Sequence, residues 1–254
     1  MLHEDRARAT SFGAQADLYH RTRPAYPAAL VDELTRDGPV DVLDVGCGTG
    51  ISAELFRQRG CRVLGVEVDD RMADYARSLG LAVETASFEE WAAAGRAFDL
   101  VISGQAWHWV DPDRGAAKAA EVLRPGGRIG LFWNRACHPP EVSDAFSAVY
   151  HRFAPGLESY SIVLGQGTGD RFDVATVGLA GAGEFEPARR LSFRWQAVYT
   201  TRKWLDHLLT HSDHQALAEE TRQALLAGVA GAIDSLGGSF RTEYEAVLIT
   251  ARRR

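Results

Sequence analysis

The sequence predicts an α/β fold with a seven-stranded, mostly parallel sheet, flanking helices and one antiparallel strand near the C-terminus. Two observations predict this class. Short apolar runs alternate with segments of helical spacing between residues 39 and 135, which is typical of parallel strands joined by crossover helices. Two more strand patterns, separated by a long helical stretch, follow near the C-terminus. The first five strand runs are residues 40–44, 62–66, 82–85, 98–103 and 128–133.

Helical spacing fills the intervals between these runs and continues after them. The helical segments are residues 51–59, 70–79, 114–123, 141–153 and 201–236. Asp69 or Asp70 is suited to cap the second segment, and a break is expected in the last one near 210–213. Alternating apolar residues at 191–200 and an apolar run at 240–251 predict the final two strands.

Composition limits the class of protein. The chain has 254 residues, 46% of them hydrophobic, and its 28 Lys and Arg against 34 Asp and Glu give a net charge of -6. This balance gives no general attraction to nucleic acid or anionic lipid. No apolar stretch reaches the ~20 residues of a membrane span, and residues 1–10 lack a signal-peptide centre. We expect a cytoplasmic protein with no membrane partner, and reduced thiols at Cys47, Cys61 and Cys137.

A glycine-rich loop is the strongest local signal. The apolar run leads directly into Gly46-Cys47-Gly48-Thr49-Gly50, and helical spacing begins at Ile51. Glycines allow a sharp turn and bring backbone N–H groups close to a ligand at a helix N-terminus. The dinucleotide fingerprint would need glycine where Ile51 stands, so the loop departs from the NAD pattern.

Two carboxylates near this loop indicate the charge of the ligand. Asp44 immediately precedes the loop, where it would repel a pyrophosphate but favour an ammonium or sulfonium group. Glu67 ends the second strand run, where a carboxylate can accept hydrogen bonds from both hydroxyls of a ribose. Together they predict a cationic nucleoside ligand.

The motifs DVLDVGCGTG, GVEVDD, AFDLVISGQAWHWVD and LRPGGRIGLFWN follow one another in the order found in class I S-adenosylmethionine-dependent methyltransferases. Residues 15 to 135 resemble that family, and Gln105 to Trp109 together with Trp133-Asn134 are similar to the small-molecule branch that includes trans-aconitate methyltransferases. The resemblance implies a Rossmann-like sheet and S-adenosyl-L-methionine as cofactor.

The resemblance also implies roles for individual positions. The loop from Asp44 would hold the methionine end of the cofactor, Glu67 the ribose, the stretch from Ser87 the adenine edge, and an N-terminal lid the carboxylate. The expected cofactor-binding residues are Tyr19, Arg23, Asp44, Gly46, Cys47, Gly48, Gly50, Glu67, Val68, Ser87, Phe88, Gly104 and Gln105.

These roles divide one domain, residues 1–254, into four parts. Residues 138–190 are rich in glycine and proline and show only one clear helical segment, so they are interpreted as an insertion that caps the acceptor. The four parts are an N-terminal lid and first helix at 1–38, a cofactor-binding core at 39–135, the substrate cap at 138–190, and C-terminal strands and helices at 191–254.

His108 is the candidate catalytic base. It follows the fourth strand, and an imidazole suits proton abstraction from a hydroxyl or amine. Alternatively, it packs between Trp107 and Trp109 and positions the loop. A carboxylate acceptor would need no base, and polar residues would hold it instead. The candidate substrate residues are Trp107, Asn134, Arg135 and His138.

Three histidines, His207, His211 and His214, lie close together in the C-terminal region. The spacing of the first two would place them on one helix face, as metal ligands can be. No cysteine or helical carboxylate completes a set, and Asp213 is suited to a cap. We therefore expect no metal site, but a solvated or substrate-facing surface.

The sequence thus predicts an S-adenosylmethionine-dependent methyltransferase that acts on a small-molecule acceptor, with a carboxylate or hydroxyl oxygen as the favoured target. Methylases of nucleic-acid bases carry Asn or Asp followed by Pro-Pro and an aromatic residue where this chain has Ser103 to Ala106. An NAD-dependent oxidoreductase and a non-catalytic S-adenosylmethionine-binding protein are the alternatives. Both a monomer and a homodimer are compatible with the sequence.

Overall fold

A seven-stranded sheet forms the centre of the molecule, which a computed structural model describes at residues 10, 12–38, 40–157 and 169–254. The strands are Asp41–Val45 (β1), Arg62–Glu67 (β2), Ala82–Thr85 (β3), Phe98–Gly104 (β4), Leu123–Cys137 (β5), Arg189–Thr200 (β6) and Ser239–Arg252 (β7). Their order is β3-β2-β1-β4-β5-β7-β6, and β7 runs antiparallel to both of its neighbours. The predicted fold class, including the single antiparallel strand, is confirmed.

Helices occupy the connections between the strands. They are Ala16–Thr22 (α1), Ala28–Leu34 (α2), Ile51–Arg57 (α3), Asp70–Ser78 (α4), Pro112–Val122 (α5), Pro140–Phe153 (α6), Gly169–Gly181 (α7), Thr201–Leu209 (α8), Ser212–Gln215 (α9) and Glu219–Ser235 (α10). Asp69 caps α4 by accepting a hydrogen bond from the Arg71 amide at 3.0 Å. The predicted break in the long C-terminal helical stretch is present between α8 and α10. No helix within the described ranges is long and apolar enough to cross a membrane.

Helix α7 was not predicted and changes the interpretation of residues 138–190. Phe172, Ala175 and Leu179 recur at helical spacing and are buried in the core that also contains Trp133 of β5. This helix therefore packs as a layer of the main core, and its Arg171 also lines the cavity described below. The assignment of residues 138–190 as a substrate cap stays a prediction. Residues 158–168 of the predicted cap lie outside the described residues.

Strand β5 begins earlier than the predicted run 128–133, because Pro125, Gly126 and Gly127 lie inside it. Leu123 pairs with Phe98, and the register shifts before Arg128 pairs with Leu100. Gly127 fits this irregularity because a Cβ there would lie 2.9 Å from the Arg124 carbonyl oxygen.

Alternate strand residues serve two cores. Leu43 and Val101 face the core that includes α5 and α7, while Val42 and Leu100 face the core that includes α2 and α3. A third cluster joins α6, α8 and α10 to the ends of β6 and β7. Because both faces of the central strands are covered, ligand access is left to the edge at which the strands end.

Candidate functional site

A cavity of about 250 Å³ lies at the carboxyl ends of β1, β2 and β4. The glycine loop, the end of β2, the turn after β3 and the tip of β4 form one side of it. The N-terminal segment and the corner between α8 and α9 form the other. The predicted cofactor-binding residues that line it are Tyr19, Arg23, Gly46, Cys47, Gly48, Glu67, Val68, Ser87, Phe88, Gly104 and Gln105.

The glycine loop needs its glycines for two different reasons. Gly46, Gly48 and Gly50 have φ values of +65°, +56° and +87°, a region that residues with a side chain avoid. In addition, a Cβ on Gly46 would lie 2.5 Å from the Cβ of Ala106. Gly50 does not line the cavity but precedes α3 as its N-cap, so it makes the turn and does not form the wall.

Asp44 lies beneath the loop and is fully buried. Its Oδ2 atom accepts a hydrogen bond from Ser52 Oγ at 2.6 Å, while its Oδ1 atom has no partner among the described residues. Burial raises the pKa of Asp44 to about 7, despite the hydrogen bond from Ser52. A buried carboxyl with one open acceptor atom is suited to a ligand that brings a positive charge and a donor.

Glu67 is held by the backbone around it. Its Oε2 atom accepts from the Gly48 amide at 2.7 Å, and its Oε1 atom accepts from the amides of Val68 and Asp69 at 2.9 and 3.0 Å. Burial raises its pKa, and these amides oppose the rise. A carboxylate offers about four acceptor positions, so one remains beyond these three. Glu67 thus connects β2 to the glycine loop and keeps one acceptor position for a ligand.

The N-terminal segment is fixed over the cavity by polar contacts to three parts of the chain. The Gly13 amide donates to Asp69 Oδ2 at 2.8 Å, and His20 Nδ1 lies 3.1 Å from Thr49 Oγ1. Arg23 Nη2 donates to the Thr210 carbonyl at 2.8 Å. The Arg23 guanidinium also lies over the Tyr19 ring, 4.8 Å from its centroid.

His108 lines the cavity, but one of its ring nitrogens is already engaged. The indole N–H of Trp133 donates to His108 Nδ1 at 3.3 Å. An indole can only donate, so Nδ1 carries the lone pair and the proton of the neutral ring lies on Nε2. A role as a base would require this bond to break, which favours the alternative in which His108 positions the loop.

Three of the four candidate substrate residues do not line the cavity, and this part of the prediction is corrected. Trp107 is buried in the main core beside Phe88. Arg135 of β5 forms an ion pair of 2.5 Å with Glu245, the residue opposite it on β7. Sequence position just past a strand does not reveal such cross-strand pairing.

His138, the third of them, is likewise directed away from the cavity. Its Nδ1 atom lies 2.8 Å from Thr242 Oγ1, and its ring packs against Trp204 and Phe240. Asn134 alone of the four lines the cavity. It donates to the Ala25 carbonyl at 2.8 Å and accepts from the Trp195 indole at 3.0 Å, so it connects the N-terminal segment to β6.

The wall opposite the glycine loop contains residues that were not predicted as site residues. Arg171, His211, Ser212 and Asp213 line the cavity there. The only sequence signal for them was the group of histidines, which we interpreted as a solvated or substrate-facing surface. His211, Asp213 and His214 place one ligand-type atom each within 4.8 Å of one another.

Hydrogen bonds already engage both ring nitrogens of His214. Nδ1 lies 3.0 Å from Asp213 Oδ1, and Nε2 lies 2.8 Å from the Tyr150 hydroxyl. A metal ion bound by His214 would have to displace one of these partners. The absence of a metal site stays a prediction.

Comparisons with known proteins agree with this geometry. Residues 43–131 match the family described as Methyltransferase domain. An uncharacterized methyltransferase of Mycobacterium tuberculosis is 40% identical over 132 residues, which cover 49% of this chain and 52% of that protein. A malonyl-[acyl-carrier protein] O-methyltransferase of Acetivibrio thermocellus is 24% identical over 94% of this chain and 89% of its own length. The matched segment spans about half the length of the mycobacterial relative.

Solved structures share the fold. A candidate type II methyltransferase from Anaeromyxobacter dehalogenans gives a TM-score of 0.66 at 24% identity, covering 91% of this chain and 97% of its own. Haemonchus contortus phosphoethanolamine N-methyltransferase 2, in complex with phosphomonomethylethanolamine and S-adenosylhomocysteine, gives 0.55 at 14% identity, covering 99% and 59%. The narrower assignment to the trans-aconitate branch stays a prediction. Residues 43–131 thus match the methyltransferase domain family, and the chain has the Rossmann-like fold of methyltransferases.

Proposed function

We propose that this protein is an S-adenosylmethionine-dependent methyltransferase that methylates an oxygen atom of a small molecule. One observation carries the proposal. A single cavity combines the glycine loop, the end of β2 with Glu67, and a wall of polar residues on the far side, while the open carboxyl oxygen of Asp44 lies under the loop. The first group suits a cationic nucleoside, and the polar residues on the far side would contact a second reactant.

The residues present fit this cofactor. The unpartnered Oδ1 of Asp44 would accept from its ammonium group, and Glu67 would accept from a ribose hydroxyl. Tyr19 and Arg23 would hold its carboxylate from above. The Haemonchus enzyme, which shares the fold, is known in complex with S-adenosylhomocysteine. The cofactor would supply a methyl group that its sulfonium charge already activates.

The protein therefore has to align the acceptor and exclude water from it. The N-terminal segment can do both, because Arg23 joins it to the end of α8 above the cavity. Asn134 fixes the base of that segment through the Ala25 carbonyl.

Two observations support a small acceptor and oxygen as the methylated atom. The net charge of -6 disfavours a nucleic-acid substrate, and the site is a cavity of only about 250 Å³. The Acetivibrio relative, which aligns over most of both chains, is named as an O-methyltransferase.

Calorimetric titration tests the cofactor assignment. We expect S-adenosylmethionine and S-adenosylhomocysteine to bind, and Asp44→Ala and Glu67→Ala to weaken binding at least tenfold, since each substitution removes a charged hydrogen-bond partner. Asp37→Ala, which alters an exposed carboxylate, is the matched control and should bind normally. Binding of NADH without S-adenosylhomocysteine would identify an oxidoreductase and refute the proposal.

A second experiment tests catalysis. The protein is incubated with S-adenosylmethionine carrying a tritiated methyl group and a protein-free extract of bacterial metabolites. We expect label in a small product that mass spectrometry shows to be heavier by one methylene unit. Cofactor binding with no labelled product would instead indicate a non-catalytic S-adenosylmethionine-binding protein.

A further inference from the structure

His211 occupies a position in the cavity that the proposed function has not used. It is the residue immediately before α9, and it lines the wall opposite the glycine loop. Arg23 reaches the same corner from the N-terminal segment by its bond to the Thr210 carbonyl. An acceptor placed between the glycine loop and this corner would contact the His211 ring.

Hydrogen bonding distinguishes the two nitrogens of this ring. His211 Nε2 lies 3.3 Å from His207 Nε2, so one of the two must donate to the other. Within the described ranges, His211 Nδ1 makes no hydrogen bond. In this respect His211 differs from His108, whose Nδ1 accepts a hydrogen bond from the Trp133 indole.

The proton of His207 decides which ring donates. Its Nδ1 atom is buried and has no hydrogen-bond partner within the described residues. A proton on this Nδ1 atom, which the proposal below requires, leaves Nε2 of His207 as an acceptor. His211 then donates from Nε2, and its own Nδ1 carries a lone pair.

We propose that Nδ1 of His211 accepts the hydrogen bond, and then the proton, of a hydroxyl group on the acceptor. This proposal rests on the proposed function and narrows its substrate class from oxygen acceptors in general to hydroxyl compounds. A lone pair of the hydroxyl oxygen forms the bond to the methyl carbon. The carbon–sulfur bond breaks with its electron pair left on sulfur, and the hydroxyl proton passes to His211.

The charges around His211 are consistent with this step. Burial, Arg23, His207 and His214 hold the pKa of His211 well below its ordinary value, so the ring is neutral before reaction. A neutral ring of low basicity takes a proton only from an oxygen that becomes strongly acidic, as a hydroxyl oxygen does while the new bond to carbon forms. Asp213 has a carboxylate oxygen within 4.8 Å and would stabilise the imidazolium that forms when the proton is transferred.

Nitrogen NMR of the imidazole rings tests the proposal independently of any acceptor. The signals of His211 in the 15N-labelled protein are assigned by their loss in His211→Gln, and spectra are recorded with and without S-adenosylhomocysteine near pH 7.5. We expect a neutral ring with its proton on Nε2. A proton on Nδ1, or a charged ring, would overturn the proposal. Failure of S-adenosylhomocysteine to bind would refute the proposed function while the tautomer remains readable in the free protein.

Kinetics with the acceptor found in the extract give a second test. His211→Asn keeps a polar group near the Nδ1 position, and His211→Gln keeps one near Nε2, but neither can take a proton. We expect both to lower kcat by about a hundredfold or more and to leave the affinity for S-adenosylhomocysteine within a few-fold. His151→Gln, on the exposed side of α6, is the matched control. Normal kcat in both His211 variants, or a product methylated at a carboxylate, would contradict the proposal.

Discussion

Asp44 is a residue whose position makes sense for ligand binding but not for stability. A fully buried carboxyl is costly to ionise, which is why the pKa of Asp44 rises to about 7 despite the hydrogen bond from Ser52. Its Oδ1 atom has no partner among the described residues until a donor arrives. A ligand that brings an ammonium group would supply the donor and the compensating charge together.

We therefore expect the affinity for S-adenosylhomocysteine to depend on pH through Asp44. The ligand's ammonium group favours the ionised carboxyl, so below pH 7 a proton must leave when the ligand binds. Affinity should rise about tenfold between pH 5.5 and 7 and then level off. Calorimetry across this range measures it. In Asp44→Asn the affinity should be low and nearly independent of pH, and an equally steep rise in this variant would assign the dependence to another group.

At the scale of elements, the turn from β1 to α3 contains three glycines with positive φ, and one of them, Gly46, lies close to a neighbouring loop. Gly46 contacts Ala106, the residue that follows the strained Gln105, whose φ is +57°. Two loops from neighbouring strands therefore touch at this point, and the contact fixes the width of the cavity between them. Strain of this kind at a non-glycine residue is common at ligand sites.

Gly46→Ala tests this contact. A left-handed backbone costs an alanine about 1 kcal/mol, and the added Cβ would overlap Ala106. We expect a lower melting temperature and at least a tenfold loss of affinity for S-adenosylhomocysteine. The control is Gly231→Ala in α10, where a Cβ meets no other atom within 4 Å and should raise helix stability by up to about 1 kcal/mol. Equal behaviour of the two variants would show that the loop contact is unimportant.

The N-terminal segment is an element whose position depends on Arg23. Arg23→Gln removes the charged bond to the Thr210 carbonyl and the contact with the Tyr19 ring. We expect faster amide hydrogen exchange in α1 and about tenfold weaker binding of S-adenosylhomocysteine. Arg21→Gln, which alters an exposed arginine paired with Asp17, is the control and should change neither measurement. Faster exchange without any loss of affinity would restrict Arg23 to a structural role.

For the whole molecule, the sequence predicted what local pattern determines. Periodicity located all seven strands, and the glycine loop with Glu67 was found because each follows directly from the end of a strand. The residues that distant packing brings to the far wall were not assigned as site residues, although the histidine group was expected at a solvated or substrate-facing surface. His211 and Asp213 reach the cavity only because α8 and α9 fold back against the N-terminal segment. Arg135 stands just past the predicted fifth strand run, but its partner Glu245 lies on a strand distant in sequence.

The same long-range packing buries titratable groups that have opposite effects on how folding stability depends on pH. Burial and Arg23 hold the pKa of His207 well below its ordinary value. The unfolded chain therefore binds a proton there below about pH 6.5 that the folded protein does not, and stability falls as pH falls. Asp44 has the opposite effect. Its raised pKa makes the folded protein hold a proton between about pH 4 and 7 that the unfolded chain releases, so this group adds stability as pH falls. His211 acts in the same direction as His207, because its pKa is also held well below its ordinary value.

Denaturant unfolding between pH 5 and 6.5 should separate these contributions. Each fully developed proton difference changes the slope of the unfolding free energy by about 1.4 kcal/mol per pH unit. Relative to wild type, Asp44→Asn should lose stability more steeply on acidification by about that amount, since the opposing group is gone. His207→Gln should lose stability less steeply by a similar amount, and His151→Gln, an exposed control, should keep the wild-type slope. Slopes that change in the same direction in both test variants would mean that Asp44 and His207 do not titrate independently.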